Sequence, residues 1–143
     1  MDYAQFLREV RENGCFVSSE EAEATIVSVL MAMSEVLPRP QLEALSSRLP
    51  PEAMVYLRRT GSEPDPLFDS HLFLGWVVSS LDATGMRDKT TGGLDLTAAY
   101  SGEEAIRRVG CVFSALKRQL EPSQQQELAA VLPEEVDAWF LNA

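Results

Sequence analysis

An all-α fold is predicted, arranged as two tandem repeats of one helical unit (about four helices each) packed into one globular helical bundle. Three observations predict it. Apolar residues recur at helical spacing along most of the chain. No segment combines strand alternation with hairpin turns. Residues 18–57 also reappear as residues 101–140, offset by 83 without a gap.

Across those 40 positions 12 are identical, among them Ser18/Ser101, Glu21/Glu104, Ala22/Ala105, Val29/Val112, Leu45/Leu128, Leu49/Leu132 and Pro50/Pro133. The shared positions are those that cap a helix or fill a core. Upstream the offset falls to 71, which places Tyr3, Phe6, Leu7, Val10 and Gly14 on Leu74, Val77, Val78, Leu81 and Gly85. The difference, 83 − 71 = 12, marks a 12-residue insertion in the second copy, between Gly85 and Ser101. The expected organisation is one domain, 1–143, with repeats at 1–58 and 67–141. A linker rich in Gly and Pro covers 59–66 and a loop insertion covers 86–100.

The first helix is expected over about Tyr3–Asn13, where residues 3, 6, 7 and 10 share one face. Gly14 would end it, because glycine tolerates a left-handed C-cap. The second helix opens on a capping box, Ser18 with Glu21, and its copy on Ser101 with Glu104. Ala22, Ile26, Val29, Leu30, Met33 and Leu37 then form one apolar stripe; Ala105, Val109, Val112, Phe113, Leu116 and Leu120 repeat it. A short third helix follows, about Pro40–Arg48 and Ser123–Val131, with Leu45, Leu49, Leu128 and Leu132 inward.

The last element is a phrase written twice, RLPPEAMVYL at 48–57 and VLPEEVDAWF at 131–140. Proline suits a first helical turn, where its missing N–H leaves nothing unpaired. The acids behind it sit at the positive end of the helix dipole. Tyr56-Leu57 and Trp139-Phe140 would plug each unit.

These features together resemble a known family. D-Y-x-x-F-L-x-x-V (Asp2, Tyr3, Phe6, Leu7, Val10), S-x-E-E-A at residues 18–22 and L-x-x-x-L-P-x-E between the third and fourth helices, the last two written twice, are similar to the bacterial domain-of-unknown-function family 2267. The resemblance covers nearly the whole chain and implies an all-helical bacterial protein. It brings no catalytic residues with it. The insertion near 86–100 departs from the family pattern.

Bulk properties exclude several classes of function. The chain has 12 Lys and Arg against 22 Asp and Glu, a net charge of −10, and no basic residue after Arg118. Such a surface repels phosphate backbones and anionic lipid, so neither nucleic acid nor membrane is an expected partner. No secretory signal is expected in MDYAQFLREV, and the longest apolar run, Leu72–Val78, is too short for a membrane span. The two cysteines, Cys15 and Cys111, form no metal or redox pattern; reduced thiols in a cytoplasm are expected, with Cys111 a small core residue.

Chemistry is hard to assemble from this inventory. His71 is the single histidine, and Leu74 and Gly75 stand three and four residues on, so it has no partner on its own helix face. Structural zinc and di-iron sites both need more ligands than exist. The acid pairs 20/21, 103/104 and 134/135 are adjacent on helices and point about 100° apart. Their place at helix starts explains them. DKTTGG at 88–93 has its glycines after the lysine and no strand before it, unlike a phosphate loop. No cofactor, metal or catalytic residue is expected, and the protein is read as a non-enzyme.

Function is sought instead where the copies differ. Phe73 and Trp76 stand where the first copy has Asp2 and Gln5, and add a second apolar ridge to the stripe at 74, 77, 78 and 81. The insertion supplies Leu94, Leu96 and Tyr100. These five, Phe73, Trp76, Leu94, Leu96 and Tyr100, are the candidate interaction surface, unless the loop, or Leu67 and Phe68, simply covers the ridge. Glu121, Glu127, Glu134, Glu135 and Asp137 would give an acidic rim. The expected function is a non-enzymatic interaction or adaptor protein of a bacterial cytoplasm, bound to another protein or to itself. The alternative is a binder of a small apolar ligand in a cavity between the two units.

Overall fold

One helix carries no charge over eleven consecutive positions and is enclosed for most of its circumference. That helix, α2 (Ser19–Val36), is uncharged from Ala24 to Ser34. In the computed structural model, which describes residues 2–14, 18–57, 67–83 and 102–143, it forms the centre of the molecule. Ala24, Ile26, Ser28, Val29, Leu30, Ala32, Met33 and Ser34 are all buried, and past the first turn only the side through Glu23, Val27, Met31 and Glu35 reaches solvent. Its buried hydroxyls bond backward along the helix: Thr25 donates to the Glu21 carbonyl at 3.0 Å, Ser28 to Ala24 at 2.8 Å and Ser34 to Met31 at 2.6 Å. Such bonds satisfy polar groups that have no water to turn to.

The described residues form α-helices, one 3₁₀ turn and connections, with no strand among them. In order they are α1 (Tyr3–Gly14), α2, α3 (Arg39–Ser46), α4 (Pro51–Met54) running into a 3₁₀ turn (Val55–Leu57), α5 (Ser70–Ala83), α6 (Gly102–Lys117), α7 (Pro122–Val131) and α8 (Val136–Asn142). None of these helices is long and apolar enough to cross a membrane.

The long helices exchange partners. α1 lies chiefly against α6, and α5 chiefly against α2, while α2 and α6 also touch each other. The short helices close the ends: the 3₁₀ turn packs on α2, and α8 packs on α6 and α7. Six apolar pairs of α2 and α6 related by the offset of 83 are buried in both copies, while Leu37 is buried and Leu120 only partly so. Ala22/Ala105, Ile26/Val109, Val29/Val112, Leu30/Phe113, Ala32/Ala115 and Met33/Leu116 are all buried. Phe113 is fully buried, with the Phe73 ring 6.2 Å away and the Phe140 ring edge-on at 5.3 Å. Three rings thus tie α5, α6 and α8 together. Cys111 is buried and directs its thiol at the Arg107 carbonyl, 3.2 Å away.

α1 is held to α6 by polar contacts. Arg107 Nη1 donates to the Gly14 carbonyl at 2.8 Å, one of the carbonyls left open at a helix C-terminus. Arg118 approaches Glu9 at 3.9 Å. At the far end Lys117 caps α8, donating to the carbonyls of Leu141 (2.9 Å) and Ala143 (3.2 Å). A cation at a helix C-terminus is favoured by the helix dipole.

Two local expectations need correction. Ser18 does cap α2, accepting from the Glu21 N–H at 3.2 Å. The Glu21 carboxylate does not complete a box, however; it is held by Arg108 across the core. The Ser101/Glu104 half lies outside the described residues. A reciprocal bond occurs instead at α7, where Gln124 accepts from the Glu121 N–H at 2.9 Å. The second Leu-Pro phrase does not begin its helix at the proline as the first does. Pro133 to Glu135 form a turn, Glu135 has φ 79°, and α8 starts at Val136.

Candidate functional site

α5 starts on Asp69, whose side chain accepts from the Leu72 N–H at 2.9 Å and so caps the helix. Set against α1 by the offset of 71, α5 begins about one turn earlier. That added turn carries Leu72 and Phe73, which have no helical counterparts in α1. Ser70 donates to Glu135 Oε1 at 3.1 Å, so the turn is tied to the start of α8.

The two residues singled out on this helix part company. Phe73 is fully buried against Phe113 and belongs to the core, not to a contact surface. Because α5 packs on both α2 and α6, its inner side is wide enough to take Phe73 and Val77, with Leu74 and Val78 partly buried beside them. Trp76 lies on the other side, 38% exposed, with Leu72 44% exposed. Between and beside them are Gly75 and Ser79. The four residues line an open depression of about 340 Å³. A Cβ added at Gly75 would meet nothing within 4 Å, so the backbone itself is open to an approaching group. From Ser70 to Leu81 the helix contains no Asp, Glu, Lys or Arg. Leu94, Leu96 and Tyr100 lie outside the described residues.

Of the residues expected to form an acidic rim, Glu121, Glu127, Glu134 and Glu135 are exposed and Asp137 less so. Through its bond with Ser70, Glu135 brings that charge to the N-terminal end of the α5 face. His71 is exposed at the same end.

A second concavity lies between α3 and α7. Gln41, Ala44 and Leu45 face Gln124, Glu127 and Leu128, with Leu120 between, around a volume of about 50 Å³. Its lining pairs residues related by the offset of 83. Sequence reasoning did not single out this place; the matched Gln41/Gln124 and Leu45/Leu128 identities were the available signal.

Two further sites were not legible beforehand. Arg108, 3% exposed in its side chain, places Nη2 2.7 Å from Glu21 Oε1 and Nη1 3.3 Å from Thr25 Oγ1. The Tyr3 hydroxyl is shut from solvent with no hydrogen-bond partner. Burial pushes its pKa well above the ordinary tyrosine value, and Glu23, Tyr56 and Glu52 push it in the same direction. Among the described residues no group of three or more His, Cys, Asp or Glu side chains converges on a point where a metal could bind.

The all-helical body matches one family across almost all of its length. The chain belongs to DUF2267, a family of uncharacterised conserved proteins, whose model matches residues 3–139. No curated protein matches it.

Proposed function

We propose that the protein is a non-enzymatic helical interaction protein of the cytoplasm, an adaptor that meets its partner through the outer face of α5. One observation carries the reading: Trp76 stands exposed beside Leu72, over Gly75 and Ser79, on a helix face with no charge. Tryptophan at the centre of a patch is the residue type that most often supplies binding energy. Small neighbours let a partner approach closely. The rest of the chain is strongly acidic, which keeps this neutral strip distinct from its surroundings.

The alternative, a small apolar ligand between the two halves, draws less support. The space between α3 and α7 is about 50 Å³, while ligand sites usually need ~300–1,000 Å³.

Capture of partners from source lysate tests the reading, with wild type and a folded Trp76→Ala variant as baits. A stoichiometric protein retained by wild type and lost by the variant is the expected result. Equal retention by both would remove the α5 face from the proposal.

A further inference from the structure

We infer that α1 is a strap: it opens from the rest of the fold as one unit while α2 and α5 to α8 stay folded, and so uncovers its seat on α2 and α6.

The docked position of α1 leaves polar atoms without partners. Among the described residues two buried side-chain polar atoms lack a hydrogen bond, the Tyr3 hydroxyl and Glu9 Oε2, and both belong to α1. Glu23 and Glu52 act on the Tyr3 phenol electrostatically, yet neither accepts its proton. Arg118 Nη1 stays 3.9 Å from Glu9 Oε2, too far to donate. An orphaned buried polar atom disfavours the state that holds it by about five- to a hundredfold. Opening α1 returns both atoms to water at once.

Against this, α1 has few apolar anchors. It packs on α6 and α2, but Phe6 and Val10 are the only large side chains that it buries completely, with Tyr3 and Leu7 partly covered. Arg8, Glu9, Arg11 and Glu12 make the rest of the helix highly charged. Its N-terminal cap is internal, because Asp2 Oδ1 accepts from the Gln5 N–H at 2.8 Å. The cap therefore travels with the helix when it leaves. The remaining core does not depend on α1 for its joints. α5 covers α2, α8 covers α6, the three phenylalanine rings join α5, α6 and α8, and the Arg108–Glu21 pair joins α6 to α2.

Native-state hydrogen exchange on the full chain tests this, read residue by residue in wild type and Tyr3→Phe and repeated at low urea. Amides of residues 6–14 are expected to share one opening equilibrium and to exchange about tenfold faster, or more, than those in the middle of α2. Their protection is expected to depend less on urea than that of α2, because opening one helix exposes less surface than unfolding the chain. Tyr3→Phe, which removes one orphaned atom, is expected to raise protection across α1 about tenfold. If the α1 amides are as protected as those of α2 and fall with urea as steeply, α1 leaves only with the whole fold and the strap is overturned. Protection graded inward from the start of the chain, which is fraying, overturns it too. So does a Tyr3→Phe variant that exchanges like wild type.

Discussion

Arg108 and Glu21 form an ion pair at 2.7 Å across the contact between α6 and α2, and both are nearly closed to solvent. Their helices are 87 residues apart in the chain at this point. Removing one partner strands the other charge in the core. Arg108→Met is expected to cost about 3–5 kcal/mol, and the double change with Glu21→Met to recover most of it. Urea midpoints of the two single variants and the double variant check this.

The split between Phe73 and Trp76 predicts opposite behaviour for two aromatic residues three positions apart. Phe73→Ala empties a space beside Phe113 and is expected to cost about 3–5 kcal/mol. Trp76→Ala is expected to cost less than about 1 kcal/mol. Thermal unfolding of both decides the matter; a large loss in Trp76→Ala would place that ring in the core.

Tyr3 makes stability depend on alkaline pH. Its folded pKa is raised, so the folded state holds the phenolic proton more tightly than the unfolded chain. The contribution is therefore whole below pH ~10, the unfolded value, and is lost as pH rises through the higher folded value. Tyr3→Phe also removes a buried hydroxyl without a partner. The variant is expected to be as stable as wild type or slightly more so near neutrality, and to lose less above pH ~10. Unfolding curves at neutral and alkaline pH compare the two.

Glu135 has φ 79°, a conformation that carries strain in any residue with a Cβ. Glu135→Gly relieves that strain at the cost of an exposed bond to Ser70. A net gain of about 1 kcal/mol is expected. Denaturant titration reads it; a loss would show that the Ser70 contact outweighs the backbone.

Local patterns carried much of the fold. The stripes on α2 and α6 could be read because 3.6-residue spacing is a property of the helix alone. The cap at Ser18 is equally local. The Arg108–Glu21 pair was not legible, because it depends on where two distant helices cross. Glu21 looked like half of a capping box, and nothing near Arg108 marks it as buried. Phe73 was assigned outward with Trp76 because the stripe at 74, 77, 78 and 81 already seemed to fill one side of α5. Contact with both α2 and α6 widened the inner side to include it. The turn at Glu135 was hidden because identity with Glu52 implied the same backbone, whereas α8 starts at Val136 after a residue with φ 79°.

The exchange of partners between α1 and α6, and between α5 and α2, fixes when the chain can fold during synthesis. Translation delivers α1 and α2 first; they pack on each other and the 3₁₀ turn packs on α2, yet the larger surfaces that cover them belong to α6 and α5. The first fifty-seven residues can therefore cover only part of the apolar sides of both helices until Lys117 has left the ribosome. At ~5–20 residues per second that interval lasts several seconds. Over it, the nascent chain is a substrate for any chaperone that reads exposed apolar helix.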